Sequence, residues 1–421
     1  MPLDRIKHRL AQEIAQIDAS GAAKRREPVI TKVRRAHGAR GPRYLIEDEG
    51  ERPFIRMNSN AYLGMALREE VIAAEEQAVR AFGAGPGAVR FISGTYAPHV
   101  ELERRLAAFH GREAALAFSS AYATVMGVLP VLVTPDTAII SDALNHNCII
   151  NAARLAQPKE KHVYAHLDMA ALEDCLTQAA GCERVLVVTD GIFSMRGDHA
   201  PLAEIKKIAA HFDGRFKEGV LMLVDDSHGV GAIGATGRGT EEHTGSGPAD
   251  LLIATLGKAF GVNGGYVAGE RVLIDYLREK APLYIYSNPI TPGEAAAAVK
   301  ALDIVDSPAG RDLLGRLRQL TLRFRQALIN LGYETLAGEH PVVPLLLRDT
   351  ERTWTMVQYL KTHGILATGL SYPVVPRGEE EIRFQISADH TEADIDEVLA
   401  VLAAFPGIHR AEKTPPAPRA R

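Results

Sequence analysis

The sequence predicts an α/β protein: a large, mostly parallel sheet layered with helices, followed by a smaller α+β unit. Three observations carry this. Apolar runs at 221–224 and 251–254 are solid rather than alternating, which suits parallel strands covered on both faces. Strand and helix patterns alternate from about residue 98 to 270, as right-handed strand–helix–strand units do. Near Ser307-Pro308 that rhythm stops, and a long amphipathic helix with two well-separated strands replaces it.

Taken in order, Leu3, Ile6, Leu10, Ile14 and Ile17 recur at helical spacing, so residues 1–57 open with an amphipathic helix. Its stripe must cover the body of the protein or a second subunit. Short strands with a turn at Glu49-Gly50 follow over 43–57. The large unit spans 58–306. It begins with a polar loop, 58–64, and a helix from 68 to 82 stopped by the glycine-rich 83–87. A helix over 100–109 comes next, with strands at 114–118, 137–140 and 185–190, and a further helix opening at Pro201. The small unit, 307–408, combines a helix at 310–332, strands at 341–347 and 381–387, and helices at 351–363 and 391–404. The tail, 409–421, is Pro- and Ala-rich and is expected to be disordered. No internal repeat is visible.

Composition narrows the function classes. With 46% apolar and 24% charged residues the chain reads as an ordinary globular protein. A net charge of −4 argues against nucleic acid or an anionic membrane surface as partner, so the Lys24-Arg25-Arg26 cluster reads as solvated surface. Three irregularly spaced cysteines make neither a disulfide framework nor a zinc site. No apolar run approaches the roughly 20 residues that span a bilayer, and the first residues lack a signal-peptide pattern. The cytoplasm is the expected location.

Two short pieces at strand ends hold the chemistry. Asp225-Asp226-Ser227-His228 and Thr255-Leu256-Gly257-Lys258 each follow a buried-strand pattern, and ligands bind beyond the carboxyl ends of such strands. A lysine there is a candidate Schiff-base former. A carboxylate there needs a cation, which a protonated pyridine nitrogen would supply, although Asp226 reads better as a cap on the following turn. His228 faces a cofactor or sits in an ordinary loop. His146, also at a strand end, could stack on an aromatic ring. Residues 119–122 precede a helix, whose first amides could seat an anion. Gly229 to Gly234 spells the G-x-G-x-x-G of dinucleotide sites, but it runs into Gly237 and Gly239 rather than a helix, so that reading fails. Phosphate seat, amine and ring-nitrogen partner together describe a pyridoxal 5′-phosphate site.

On these residues the chain resembles the α-oxoamine synthases, fold type I pyridoxal-phosphate transferases, over about residues 44–405. The strongest pieces are 141–146, 189–195, 224–228, 255–258, 372–376 and Ile382-Arg383. Within that family the likeness points first to glycine C-acetyltransferase, with 8-amino-7-oxononanoate synthase as the alternative and a pyridoxal-phosphate aldolase or aminotransferase behind it. The resemblance implies that Lys258 carries the cofactor as an internal aldimine and Asp225 pairs with its ring nitrogen. His146 stacks on the ring and also meets substrate, while His228 and Ser194 lie near the ring substituents. Ala121, Tyr122 and Thr255 hold the phosphate, and Arg383 with Asn60 grips the amino-acid carboxylate. Ser287 and Asn288 match positions that reach a partner chain's cofactor, which implies a homodimer with shared sites. Amino acid and acyl-CoA are the implied substrates. Five positions depart from the family pattern, namely Val125, Met126, Asn147, Cys148 and Pro289, and the resemblance places them on the substrate side.

Overall fold

The computed structural model describes residues 2–19, 23, 25, 27–372 and 374–406. The expected disordered tail, with Lys24, Arg26 and Pro373, lies outside them.

The large sheet runs in the order Ala114–Phe118, Gly265–Gly269, Leu251–Thr255, Val220–Asp225, Arg184–Asp190, Thr137–Asp142, Glu160–Tyr164. Only Gly265–Gly269 runs against its neighbours. The rest point one way, as the solid apolar runs predict. The reason shows in the side chains. Leu223 packs into the core on one face of the sheet, while Met222 and Val224 pack into the core on the other. Leu186 and Val188 likewise oppose Val185 and Val187. With both faces buried, an alternating pattern has nothing to select it.

The small sheet has the order Glu334–Thr335, Val342–Leu346, Glu381–Gln385, Thr368–Leu370 and is antiparallel throughout. Helix Pro308–Asn330 covers it, its Leu314, Leu317, Leu320 and Phe324 buried as the stripe predicts. Ile55–Arg56 pairs with Ile365–Leu366, and the Gln385 amide donates to the Met57 carbonyl at 2.8 Å. The segment leading into the large unit is thereby fastened to the small one.

The sequence reading passes over several elements, among them strands Glu160–Tyr164 and Gly265–Gly269, and two helices are instructive. Helix Pro292–Val305, Ala-rich and set by a Thr291–Glu294 capping box, lies unread between the two units and is buried along most of its length. Small residues carry no periodic apolar signal, yet they allow close approach: a Cβ on Gly293 would stand 2.8 Å from Val79 Cγ2. Helix Pro2–Ala19 forms as expected, but Leu3, Ile6, Leu10, Ile14 and Ile17 are all exposed, so the body of this chain does not cover the stripe.

Candidate active site

Because the strands share a direction, their carboxyl ends share one rim. Ser120 follows Ala114–Phe118, His146 follows Thr137–Asp142, Asp190 and Asp225 end adjacent strands, and Thr255 ends the next. A cavity of about 200 Å³ opens on that rim. Eight residues singled out from the sequence line it: Ala121, Tyr122, His146, Ser194, Asp225, His228, Thr255 and Lys258. Asn60, Arg383, Ser287 and Asn288 are not in its wall. Arg383 nevertheless stands near enough for its charge to lower both Lys258 and His228.

The anion seat is built by local sequence. Ser120 caps helix Ala121–Val128, its Oγ accepting from the Ala123 amide at 3.1 Å. The amides of Ala121 and Tyr122 come earlier in the first turn and have no intrahelical acceptor. Gly265 lies directly beneath: a Cβ there would come within 2.2 Å of the Ala121 nitrogen. Thr255 Oγ accepts from the Gly257 amide at 3.0 Å and so shapes the turn that presents Lys258.

Electrostatics single out the other wall. Burial lowers the Lys258 amine to about 8, against the pull of Asp225 and Asp190. Asp190 sits in register with Asp225 on the neighbouring strand; burial, then that second carboxylate, push its pKa well up. Two acids side by side in a dry pocket with one amine form an arrangement that a further cation would complete. A cationic ring nitrogen fits it, and the helix amides fit a phosphate on the same ring.

His228 is held by residues the sequence reading did not assign. Its Nδ1 lies 2.7 Å from the Tyr62 hydroxyl, and His340 Nε2 donates to its carbonyl at 2.8 Å. Burial, with Lys258 and Arg383 nearby, pulls His228 far below the usual imidazole range, while burial pushes Tyr62 up. A neutral imidazole beside a protonated phenol bonds in one of two ways: Tyr62 donates to Nδ1 and the ring proton stays on Nε2, or Nδ1–H donates to the phenol oxygen while the hydroxyl turns to Asn60 Oδ1 at 3.4 Å. Tyr62 and His340 are far apart in the chain, so nothing in the sequence paired them. Asp190 was findable, since it ends the clearest strand of all just as Asp225 ends its own.

Arg383 and Asn60 do meet. Arg383 Nη2 approaches Asn60 Oδ1 at 3.4 Å, and Nη1 donates to the Ser194 carbonyl at 2.9 Å. The following turn is capped by Asp225, whose Oδ1 accepts from the Ser227 amide at 3.1 Å, and not by Asp226, which is structural in another way. It accepts from the Thr240 amide at 2.7 Å and hydroxyl at 2.5 Å, and burial pushes it up to about 8. Cβ atoms on Gly191, Gly229 or Gly239 would lie within 2.2 Å of its carboxylate. Gly229 and Gly239 thus make room for Asp226, and the G-x-G-x-x-G run opens no helix; the next one, Thr240–Thr244, starts six residues after Gly234.

The five departures need a correction. Val125 is fully buried in the core and Met126 packs against it, so neither faces substrate. Asn147 accepts from the Tyr122 hydroxyl at 2.9 Å and ties the two rim helices together. Pro289 is half-buried and is not in the wall. Of the five, Cys148 alone lines the cavity.

Comparison with known proteins gives the class first. Residues 52–402 match the family model for aminotransferase class I and II, and the chain belongs to that family. It has the fold type I architecture of these pyridoxal-phosphate enzymes and is a transferase of the α-oxoamine synthase type. Among its relatives, 8-amino-7-oxononanoate synthase of Thermosipho melanesiensis is 39% identical over 390 residues, 92% of this chain and 95% of its own. The enzyme of that name from Symbiobacterium thermophilum is 41% identical over 364 residues, 86% of this chain and 90% of its own. Serine palmitoyltransferase from S. paucimobilis, solved with a bound PLP–myriocin aldimine, superposes with a TM-score of 0.84 at 26% identity, covering 94% of this chain and 96% of that one. The particular likeness to glycine C-acetyltransferase finds no support among these; the two sequence relatives carry the name of the alternative. Among the described residues no helix is long and apolar enough to cross a membrane.

Proposed function

We propose that the protein is a pyridoxal-phosphate-dependent acyltransferase that joins a small amino acid to an acyl thioester, with 8-amino-7-oxononanoate formation as the leading reaction. The observation that carries the class is the meeting of Lys258 and Asp225 in one cavity with Arg383 close by. The relatives' shared name supports the particular reaction. In that product the amine and terminal methyl are what remains of alanine without its carboxylate. The rest is a seven-carbon diacid chain, delivered as its thioester. A new bond joins the α-carbon to the thioester carbonyl, the C–S bond breaks, and thiol and carbon dioxide leave.

The bound cofactor supplies an electron sink for the α-carbon. Lys258 is the amine that would hold the cofactor through its aldehyde and that, when free, would take the α-proton. Its lowered pKa keeps a useful share of it unprotonated near neutrality. Asp225 faces the ring nitrogen and favours its protonated form, and His146 lies against the ring. Ala121, Tyr122 and Thr255 hold the phosphate. With Tyr62 as donor, His228 offers Nε2–H to an oxygen at the ring or substrate, while Arg383 and Asn60 fix the amino-acid carboxylate. Ser287 and Asn288 serve the site of a second subunit in a homodimer.

The motif likeness set out above supports a second pair, glycine with acetyl-CoA. The test is thiol release over a grid of alanine, glycine and serine against acetyl-, pimeloyl- and palmitoyl-CoA. Fastest turnover with alanine and the pimeloyl thioester is the expected result. Preference for glycine with acetyl-CoA moves the reading to the second pair, and no thiol release with any combination overturns both.

A further inference from the structure

Cys148 lies in the cavity wall at 2% exposure, second residue of helix Asn147–Ala156. Its Sγ is 2.9 Å from His146 Nδ1 and 3.6 Å from Asp225 Oδ2. One thiol therefore touches both residues assigned above to the face and the nitrogen of the cofactor ring. The backbone adds a constraint. His146 caps the helix, its Nδ1 accepting from the Cys148 amide at 3.2 Å, so that nitrogen carries no proton. The single thiol proton serves one acceptor at a time, and with the Nδ1 lone pair engaged by the Cys148 amide it goes to Asp225 Oδ2. Asp225 Oδ1 is taken by the Ser227 amide at 3.1 Å, and Cys148 is the donor found for Oδ2 among the described residues.

We propose that Cys148 is a positioning residue for the cofactor: its thiol bridges the two residues by resting against His146 and donating its one proton to Asp225, which holds the carboxylate in place for the ring nitrogen. The assignment of the ring to this cavity rests on the proposed function; the thiol bridge does not. Burial, then Asp225 and Asp190, push the thiol far up, so it remains a protonated donor at all working pH values. Asp190 steadies the same corner from behind, accepting from the His146 amide at 3.0 Å. Asp225 and Asp190 are the anions that act on the thiol, and Lys258 is the cation whose amine senses it across the cavity.

Two measurements test it. The S–H stretching band of Cys148, isolated as the infrared difference between the native protein and Cys148→Ala, should show a hydrogen-bonded thiol and should move in Asp225→Asn. This readout needs no cofactor. Second, Cys148→Ala should weaken pyridoxal phosphate binding about fivefold and displace the pH midpoint of the bound cofactor's visible band, the loss of one modest hydrogen bond. Cys148→Ser should restore both. A free-thiol band that ignores Asp225→Asn overturns the bridge, as does a Cys148→Ala protein with native affinity and pH midpoint. Should Cys148→Ala fail to fold, the band in native protein against Asp225→Asn decides alone. A native protein that takes up no pyridoxal phosphate would instead sink the proposed function and leave the bridge to the infrared result.

Discussion

The rim carries two charged clusters that treat their groups in opposite ways. In the cavity, Lys258 stands with Asp225 and Asp190, and burial drives amine and acid towards neutrality, Lys258 down and Asp190 up. Behind it, His166 Nδ1 meets Asp142 at 2.9 Å and Nε2 meets Asp198 at 3.3 Å, while Arg196 bonds Asp198 at 2.9 Å and Glu379 at 3.1 Å. Burial alone would lower His166, but the two carboxylates outweigh it and raise the imidazole to about 9. Asp198 falls for the matching reason, with His166 and Arg196 outweighing its burial. In the rear cluster every carboxylate has a cation in direct contact, and the cluster holds the Arg196 loop to the small unit. In the front cluster burial outweighs charge pairing, which costs stability and leaves work for a ligand to do.

The sharpest way to break this contrast is Lys258→Ala. It should abolish the visible band of bound cofactor and cut turnover at least about a thousandfold; a spectrum unchanged from native would mean another amine holds the cofactor. In the native apoprotein, capture of pyridoxal phosphate should quicken as pH rises through about 8, where Lys258 loses its proton, and then level off. Stopped-flow absorbance reads this directly. Arg383→Ala should raise KM for the amino acid about a hundredfold through loss of a charge-assisted contact, with cofactor affinity nearly constant. Equal losses of both would remove its assigned role.

A finer probe is Tyr62→Phe. Without the Tyr62 hydroxyl His228 no longer has a fixed tautomer, and kcat/KM should fall about tenfold. Ring-nitrogen NMR of the histidines should show mixed tautomers in the variant and one in the native protein. The least effect on activity is expected in the paired rear cluster. His166→Asn should cost about 2 kcal/mol of stability near neutral pH, a figure discounted for partial exposure. The sign follows from linkage. With the folded pKa raised to about 9 from 6.5, the contribution is full below about 6.5 and vanishes as pH rises through about 9. Denaturation midpoints of native and variant should therefore converge in alkali.

Much of this was legible in the chain. The strands ending at Asp190, Asp225 and Thr255 announce themselves because burial on both faces demands solid apolar runs, and topology sends their last residues to one rim. Lys258, Asp225 and His146 could be picked from local context. Helix Pro292–Val305 could not, since alanine packs closely without marking a face. Nor could the partners of His228: Tyr62 and His340 come from opposite ends of the chain and meet only where the small unit closes on the large one.

The sequence by itself determined which groups stand at strand ends, because hydrophobic period and turn chemistry are local properties. Only the tertiary structure decided which of those groups share a desolvated pocket, and hence which carry shifted protons. Asp225 and Asp226 are chain neighbours of identical chemistry, yet one faces an amine across a cavity and the other bonds Thr240 among glycines. Successive residues at a strand end point in opposite directions, and what each meets there depends on elements folded in from elsewhere.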